Sequence, residues 1–395
     1  MKILMIAPEP FFQPRGTPFS EYHRLKALSK LGHHVDLLTY PVGEDVQIEH
    51  VNIYRSLKLP FISNVKIGLS AAKIFLDIPL FAQAFRMMLS GKYDCVHTHE
   101  EAVLAGALLR KFWGFPHVYD MHSSLPEQMS NFGISNSPTL FRIGEAIERW
   151  VLKHSLKTIV ICPYLGERVE KLHRNQPYLV IENVPVTDER PVTAAETDAL
   201  KQRLGLRDET VVLYTGTMEA YQGIDLLLES AKRVAAQCER ARYVLVGGHP
   251  EQIATFKELA ARLGVEKIAQ FTGQQPVQDM PVYTQIADIL VSPRKEGKNT
   301  PLKIYSYLKS GKPIVATNIL THTQALTPDV AVLTDNNAEA FAEGTLRLIN
   351  DRALGQRLVS NAMKLSDEKY SYDAYLQKTD QVYKFVEKSI QNGEK

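Results

Sequence analysis

Residues 1–39, MKILMIAPEPFFQPRGTPFSEYHRLKALSKLGHHVDLLT, hold the pattern that decides the fold. Met1–Ala7 is a short apolar run and reads as a strand. Thr17–Leu31 reads as a helix, with Thr17 as N-cap, Pro18 at its first position and Gly32 just past its end. Val35–Thr39 is the next strand. Strands alternating with helices predict a parallel sheet covered on both faces.

The alternation continues outward. Further strand candidates are Cys95–Thr98, His117–Tyr119 and Thr158–Ile161. It weakens at Asn183–Ala199, where Pro185, Pro191 and several Thr and acidic residues read as a linker. It then restarts with strand candidates Val211–Thr215, Tyr243–Val246, Ile268–Phe271, Ile289–Val291 and Ile314–Ala316. Helices fit Asp225–Ala236, Gln252–Leu263, Pro301–Lys309, Ala338–Ile349 and a tail near Tyr370–Ser389. The expectation is an α/β protein of two doubly wound, Rossmann-like domains facing a central cleft. The first spans 1–185 and the second 200–370, and the tail helix follows them. Such sheets bind ligands beyond the carboxyl ends of their strands.

Composition excludes several classes. Lys+Arg number 46 and Asp+Glu 44, for a net charge of +2, and residues of both signs are spread evenly. No nucleic-acid footprint results. Three scattered cysteines, Cys95, Cys162 and Cys238, form neither a disulfide framework nor a zinc cluster, and suit a reducing compartment. Ile3–Ala7 is too short for a signal-peptide core. The longest apolar tract, Leu69–Leu89, contains Lys73, Asp77, Pro79 and Arg86, which argue against a spanning helix. A cytoplasmic protein is expected, with the inner face of the membrane as an alternative placement. Residues 51–92 motivate that alternative. They carry Arg55, Lys58, Lys66, Lys73, Arg86 and Lys92 against Asp77 alone, interleaved with aromatic and aliphatic residues, a mixture suited to an anionic leaflet. A core helix with a solvated basic face fits the same residues.

Two loops share a design. Arg15-Gly16-Thr17-Pro18 follows the first strand, and Lys298-Asn299-Thr300-Pro301 follows the strand ending near Val291. In both, Thr-Pro opens a helix whose free N–H groups and positive dipole end make an anion site, or is simply a favourable helix start. Leu302 and Lys303 lie in the first turn of the second helix, where Lys303 can reach the anion. A third loop runs from Gly216 through Thr217, Glu219 and Gln222 to Gly223. Gly247-Gly248-His249 and Phe271-Thr272-Gly273-Gln274 follow the next two strands, and the backbone of the latter suits the edge of a planar base. His97, His99 and Glu100 follow one N-terminal strand, and Asp120 and His122 another. No metal site is expected: the chain has no Asp-x-Asp pair to hold a metal–diphosphate complex.

These residues resemble the glycosyl transferase group 1 proteins, family 4 of the retaining glycosyltransferases, with the GT-B fold. The resemblance covers nearly the whole chain and rests on Met1–Thr39, Val212–Leu228, Tyr243–Pro293 and above all Thr300–Thr317, TPLKIYSYLKSGKPIVAT. It implies a glycosyltransferase of hexosyltransferase type that moves a sugar from a nucleotide-diphosphate sugar to a glycan or lipid-linked acceptor, with retention and without a metal or other cofactor. It further implies donor contacts at Gly16, Thr17, Gly216, Thr217, Glu219, Gln222, Gly247, Gly273, Lys298, Asn299, Thr300, Leu302 and Ser306. His122 matches the family histidine near the transferred sugar, and a final helix over 371–395 is implied to pack back on the first domain. Lys303 and Glu296 complete the catalytic set.

Three departures follow from the same comparison. The Arg and Lys that usually neutralise the leaving diphosphate are replaced by Thr217 and Gln222. Ser306 stands where a glutamate grips the ribose, and Glu296 matches the first family glutamate only with a two-residue insertion that otherwise puts Lys298 there. Lys303, Lys298, Arg294 and Arg15 are the substitute cations. Two alternatives stay open: a non-catalytic nucleotide-sugar binder, and a nucleotide-sugar epimerase.

Overall fold

The computed structural model describes residues 1–12, 16–59, 71–91, 93–127, 137–185 and 190–393. The chain divides into two compact units, Met1–Asn183 with Tyr372–Lys395, and Val184–Ser371.

In the N-terminal unit, strands β1 (Lys2–Ala7), β2 (His34–Thr39), β3 (Val51–Arg55), β4 (Cys95–His99), β5 (His117–Met121), β6 (Lys157–Val160) and β7 (Tyr178–Val180) form one parallel sheet. Its order is β3-β2-β1-β4-β5-β6-β7, with Ile3 beside both Val35 and Cys95. The order reverses between β1 and β4, which makes their carboxyl ends the switch point where ligands bind in such sheets. Helices α1 (Gly16–Lys30), α2 (Ala71–Ser90), α3 (Val103–Trp113), α4 (Pro138–Lys153) and α5 (Pro163–Leu172) accompany the strands. On α2, Leu76, Leu80, Ala84 and Met88 recur every four residues and bury against Leu4, Ile6 and Leu38. The C-terminal helix, Tyr372–Gln391, belongs to this unit and buries Val382, Tyr383 and Val386.

The second unit repeats the plan. Strands β8 (Thr210–Thr215), β9 (Ala241–Val246), β10 (Ala269–Gly273), β11 (Ile289–Ser292), β12 (Ile314–Thr317) and β13 (Val332–Thr334) pair in parallel as β10-β9-β8-β11-β12-β13. The switch point lies between β8 and β11. The helices are α6 (Ala194–Arg203), α7 (Ile224–Ala235), α8 (Pro250–Leu263), α9 (Met280–Ile286), α10 (Leu302–Lys309), α11 (Leu320–Thr323), α12 (Ala338–Asn350) and α13 (Arg352–Lys369). Val212 and Tyr214 pack on one side with Leu227, Ala231 and Phe341. Their neighbours Val211 and Leu213 pack on the other with Val282, Ile304 and Leu308. A strand buried on both faces reads as a continuous apolar run, which is why β8 is visible in the sequence.

Several expectations are corrected. Helix α1 begins at Gly16, so Thr17 lies inside its first turn rather than capping it, and residues 13–15 before it lie outside the described residues. Helix α10 begins at Leu302 with Pro301 in the cap position, so Thr300 is not its N-cap. Part of the expected linker is helical: Thr193 Oγ1 accepts from the Glu196 N–H, the Glu196 carboxylate accepts from the Thr193 N–H, and α6 starts there. The basic stretch is also less free than its charge count suggests. Arg55 donates to the carbonyls of Phe11, Tyr40, Val42 and Glu44, and Lys73 is buried at 3.5 Å from Glu101. Lys66 and Lys92 lie outside the described residues. No helix among the described residues is long and apolar enough to cross a membrane.

Candidate functional site

The carboxyl end of β8 meets α10 and the loop after β11. Gly216 holds φ at +137°, and a Cβ there would come within 3.2 Å of Lys303 Nζ. Lys303 reaches this point from the first turn of α10, and Nζ sits 3.9 Å from the centroid of the Tyr214 ring. Nζ is buried and makes no hydrogen bond among the described residues. Burial, with the charge of Arg294, holds the Lys303 ammonium well below its ordinary value. Tyr307, on the same helix, locks α10 to the strand: the Thr215 N–H donates to Tyr307 Oη at 3.1 Å.

Other polar atoms here are also unsatisfied. Thr300 is 7% exposed and its hydroxyl is buried without a hydrogen bond among the described residues. Gln222 donates to Thr217 Oγ1 at 3.3 Å, and its own Oε1 is buried without a hydrogen bond among the described residues. Arg294 stacks over Tyr221 at 4.8 Å and donates to the carbonyls of Glu296 and Asn299, at 2.8 and 3.4 Å. Neither Lys303 nor Arg294 forms an ion pair among the described residues. Ser306 follows Lys303 one turn later, half-buried.

The remaining C-terminal candidates are placed as follows. Gly247 has φ +117°, and a Cβ on it would meet the Gly216 carbonyl oxygen at 2.0 Å. Its N–H donates to the Gly273 carbonyl at 2.8 Å, so Gly216, Gly247 and Gly273 form a backbone seam along the ends of β8, β9 and β10. Glu219 is exposed and accepts from Gln252 Nε2 at 3.1 Å. Glu296 and Lys298 are exposed on the loop before α10, and Leu302 is half-buried at its first residue. The Lys298 carbonyl accepts from Gln324 at 2.6 Å, and that of Asn299 from the Thr321 hydroxyl.

The N-terminal unit gathers a different set at its own switch point. Arg24 Nε donates to Asp120 Oδ2 at 3.0 Å, with both side chains buried. His97 Nε2 lies 3.4 Å from the same oxygen, and His122 Nε2 3.3 Å from Asp120 Oδ1. His99 Nδ1 is 3.1 Å from His122 Nε2, and His97 Nδ1 2.6 Å from Tyr383 Oη on the C-terminal helix. Arg24 also donates to Thr379 at 2.8 Å and faces the Tyr375 ring. Burial alone would raise the Asp120 carboxyl, but Arg24 and His122 hold it well below the usual carboxylate range. Burial would lower His122, but Asp120 outweighs it and raises the imidazole. Burial lowers His97 and His99. The result is an Asp120 carboxylate paired with Arg24 and His122 and flanked by two imidazoles whose charged forms burial disfavours.

Ligand atoms of His97, His99 and Asp120 lie within 4.8 Å of one another, close enough to hold a metal ion. Each residue is already engaged, however, and the Arg24 cation on Asp120 opposes a second positive charge. Glu21 completes the picture. Burial, then Glu9 and Glu100, push its carboxyl well up, and both its oxygens are buried without hydrogen bonds among the described residues. Arg24, Glu21 and the C-terminal tyrosines escape sequence reasoning because they sit in ordinary helices. The alternation His97-x-His99 at a strand end was the available signal.

Comparison with known proteins agrees with this geometry. Residues 196–365 match the family described as Glycosyl transferases group 1, and residues 22–183 the family described as Glycosyl transferase 4-like domain. The alpha-D-kanosaminyltransferase of Streptomyces kanamyceticus is 24% identical over 298 residues, 71% of this chain and 74% of that protein. Sucrose-phosphate synthase from Thermosynechococcus elongatus superposes with a TM-score of 0.79 at 20% identity, covering 98% of this chain and 99% of that one. Anabaena HepE in complex with UDP-glucose superposes at 0.74 and 17% identity, covering 97% and 99%. The fold is that of the GT-B proteins.

Proposed function

The chain belongs to the group 1, family 4 glycosyltransferases, and on that premise we propose that it transfers a sugar from a nucleoside-diphosphate sugar to an acceptor hydroxyl. The observation that carries the proposal is Lys303 Nζ, a buried amine over Tyr214 beside Gly216 that makes no hydrogen bond among the described residues. A buried ammonium without a counter-ion is costly. A diphosphate seated there would supply the missing negative charge.

In this reading Lys303, supported by Arg294, neutralises the leaving diphosphate in place of the cations replaced by Thr217 and Gln222. Removing one such contact from a dry site costs about 3–4 kcal/mol of transition-state stabilisation. The hydroxyl of Thr300 and the amide of Gln222 offer further contacts, and the seam of Gly216, Gly247 and Gly273 the nucleoside surface. Gly16, Thr17, Glu219, Lys298, Asn299, Leu302 and Ser306 keep the donor-side roles that the resemblance implies, Glu296 its role as the first family glutamate, and His122 its role near the sugar. The acceptor hydroxyl attacks on the face that the diphosphate leaves, and a leaving phosphate oxygen takes its proton. Configuration is then retained without a side-chain nucleophile, and the protein contributes orientation and charge. No metal is required, because side-chain cations do the neutralising.

The acceptor is a glycan or a lipid-linked hydroxyl, met in the cytoplasm or at the inner face of an anionic membrane. Exposed Phe75, Ile78, Leu89, Phe112 and Trp113, with exposed Arg86 and Lys111, support the membrane version. Co-sedimentation with phosphatidylglycerol vesicles that survives Arg86→Glu and Lys111→Glu would sink it.

The central test is a metal-free calorimetric titration with UDP, GDP, ADP and CDP. One nucleotide should bind selectively, and Lys303→Met should abolish that binding. A ligand at 100 times its dissociation constant should also stabilise the fold by about 2.7 kcal/mol. Ser306 in place of the ribose-gripping glutamate favours a second reading, a binder without turnover. Nucleotide binding with no transfer to any acceptor supports that one.

A further inference from the structure

The loop after β8 has Thr217 and Gln222 in place of cations, yet two aromatic residues bracket it. Tyr214 is the next-to-last residue of β8, and Tyr221 lies in the short helical turn Ala220–Gln222. Each ring faces a basic group from the other side of the switch point. Lys303 Nζ, from α10, lies over the Tyr214 ring at 3.9 Å from its centroid. The Arg294 guanidinium, from the loop after β11, lies over the Tyr221 ring at 4.8 Å. Both rings are anchored apart from these contacts. Tyr214 is fully buried, and its Oη donates to the Thr217 carbonyl at 2.5 Å. The Lys295 N–H donates to the Tyr221 carbonyl at 2.8 Å, which ties that turn to the Arg294 loop. Gly223 brings the two backbones together, since a Cβ there would collide with the Pro293 carbonyl.

A ring face acts differently from a carboxylate. Its negative face attracts a cation within about 6 Å, more strongly where water is excluded. It has no net charge, so it neither cancels the cation nor repels an approaching anion. A carboxylate in the same place would do both. The ring also favours the charged form of an amine over it, whereas burial and Arg294 work against the Lys303 ammonium. His322 of α11 shares the field of Lys303 and Arg294 but adds no charge, because burial holds its imidazole down at about 3. Glu219, a carboxylate that acts on Tyr214, is exposed and accepts from Gln252.

We propose that Tyr214 and Tyr221 are positioning residues for the donor's diphosphate: their ring faces hold Lys303 and Arg294 in place while leaving the charge of both free for the anion. The inference rests on the transferase reading for the identity of that anion. It assigns to the loop after β8 a role different from that of the cations it lacks: the loop supplies the faces, and α10 and the loop after β11 supply the charge.

The test is calorimetric titration of the full chain, from neutral to alkaline pH, with UDP, GDP, ADP and CDP. Tyr214→Phe keeps the ring and should hold affinity for the bound nucleotide within about twofold. Ring-fluorinated phenylalanines at position 214, nearly equal in shape but without the negative face, should weaken it stepwise, to about tenfold at full fluorination. They should also move the alkaline loss of affinity to lower pH, because the charged amine has lost its support. Tyr221→Leu, at a ring 36% exposed, should weaken binding by a similar factor with that pH limb unmoved, since a guanidinium stays charged throughout. Fluorination that moves neither affinity nor the limb overturns the proposal, as does Tyr214→Phe costing as much as full fluorination. If the fluorinated chains fail to fold, Tyr221→Leu decides, and unchanged affinity there overturns it. Binding lost in Lys303→Met but intact in the fluorinated chains rejects this inference alone. Binding that survives Lys303→Met, or no nucleotide bound by the unaltered chain, rejects the transferase reading and this inference with it.

Discussion

The two sheets have the same strand order around their switch points, yet they treat buried charge in opposite ways. In the N-terminal unit the Asp120 carboxylate is paired on one oxygen with Arg24 and on the other with His122, within 3.3 Å contacts. In the C-terminal unit Lys303 Nζ is buried against an aromatic face with no counter-ion among the described residues. The pairs on Asp120 orient their members without a ligand, although Asp120 Oδ1 and the Nε2 atoms of His97 and His99 make no hydrogen bond among the described residues. An unpaired buried amine whose pKa is held down by burial is incomplete until an anion arrives to favour its charged form. The contrast separates a positioning device from a binding device on one fold plan.

The sharpest way to break the contrast is Asp120→Ala. It strands the buried Arg24 cation, so urea unfolding should show a loss of about 3–5 kcal/mol. The double change Arg24→Met with Asp120→Leu should recover much of that loss. A cost below about 1 kcal/mol for Asp120→Ala would mean that the network is not paired as described.

Lys303→Met probes the other side and should move two quantities in opposite directions. Nucleotide affinity or turnover should fall about 10²- to 10³-fold. Stability without ligand should rise by about 1 kcal/mol, since a buried polar group with no hydrogen bond is removed. A variant that loses stability yet keeps nucleotide affinity would make Lys303 a structural residue like Arg24.

Proton linkage sharpens the comparison further. The Lys303 pKa is depressed in the free protein, and a bound diphosphate favours its charged form. Nucleotide binding should therefore take up as much as one proton, and affinity should fall as pH rises through the window between the depressed value and the ordinary lysine value. Calorimetry in buffers of different ionisation enthalpy reads this directly above about pH 7, where the nucleotide phosphates have finished titrating. Uptake unchanged in Lys303→Met would assign the proton elsewhere.

The smallest effect concerns His122. Its folded value is raised, so the stabilisation that it draws from Asp120 is complete below the ordinary histidine value of about 6.5. That contribution is lost as pH rises through the raised value. His122→Gln should flatten this limb of the stability profile, and an unchanged limb would place the charge on another group.

Much of the fold is legible along the chain because buried parallel strands leave apolar runs and helices announce their ends. The strands that escaped, β3, β7 and β13, are short and lie at or next to sheet edges, and β3 and β7 have no fully buried position, so their apolar runs are weak. The start of α10 was misplaced by one residue because Thr-Pro is a good cap signal, and the cost of that error is informative: Thr300 keeps its hydroxyl for something other than the helix.

The sequence by itself determined the α/β alternation, the presence of a cation in the first turn of α10 and the family, because these depend on neighbours along the chain. Which charges are paired was decided only by tertiary structure. Asp120 is neutralised by a residue 96 positions away and His97 is bonded to one 286 positions away. Lys303 meets Tyr214 rather than a carboxylate only because β8 and α10 pack together. Pair energies depend steeply on distance and burial, and both are set by the folded chain.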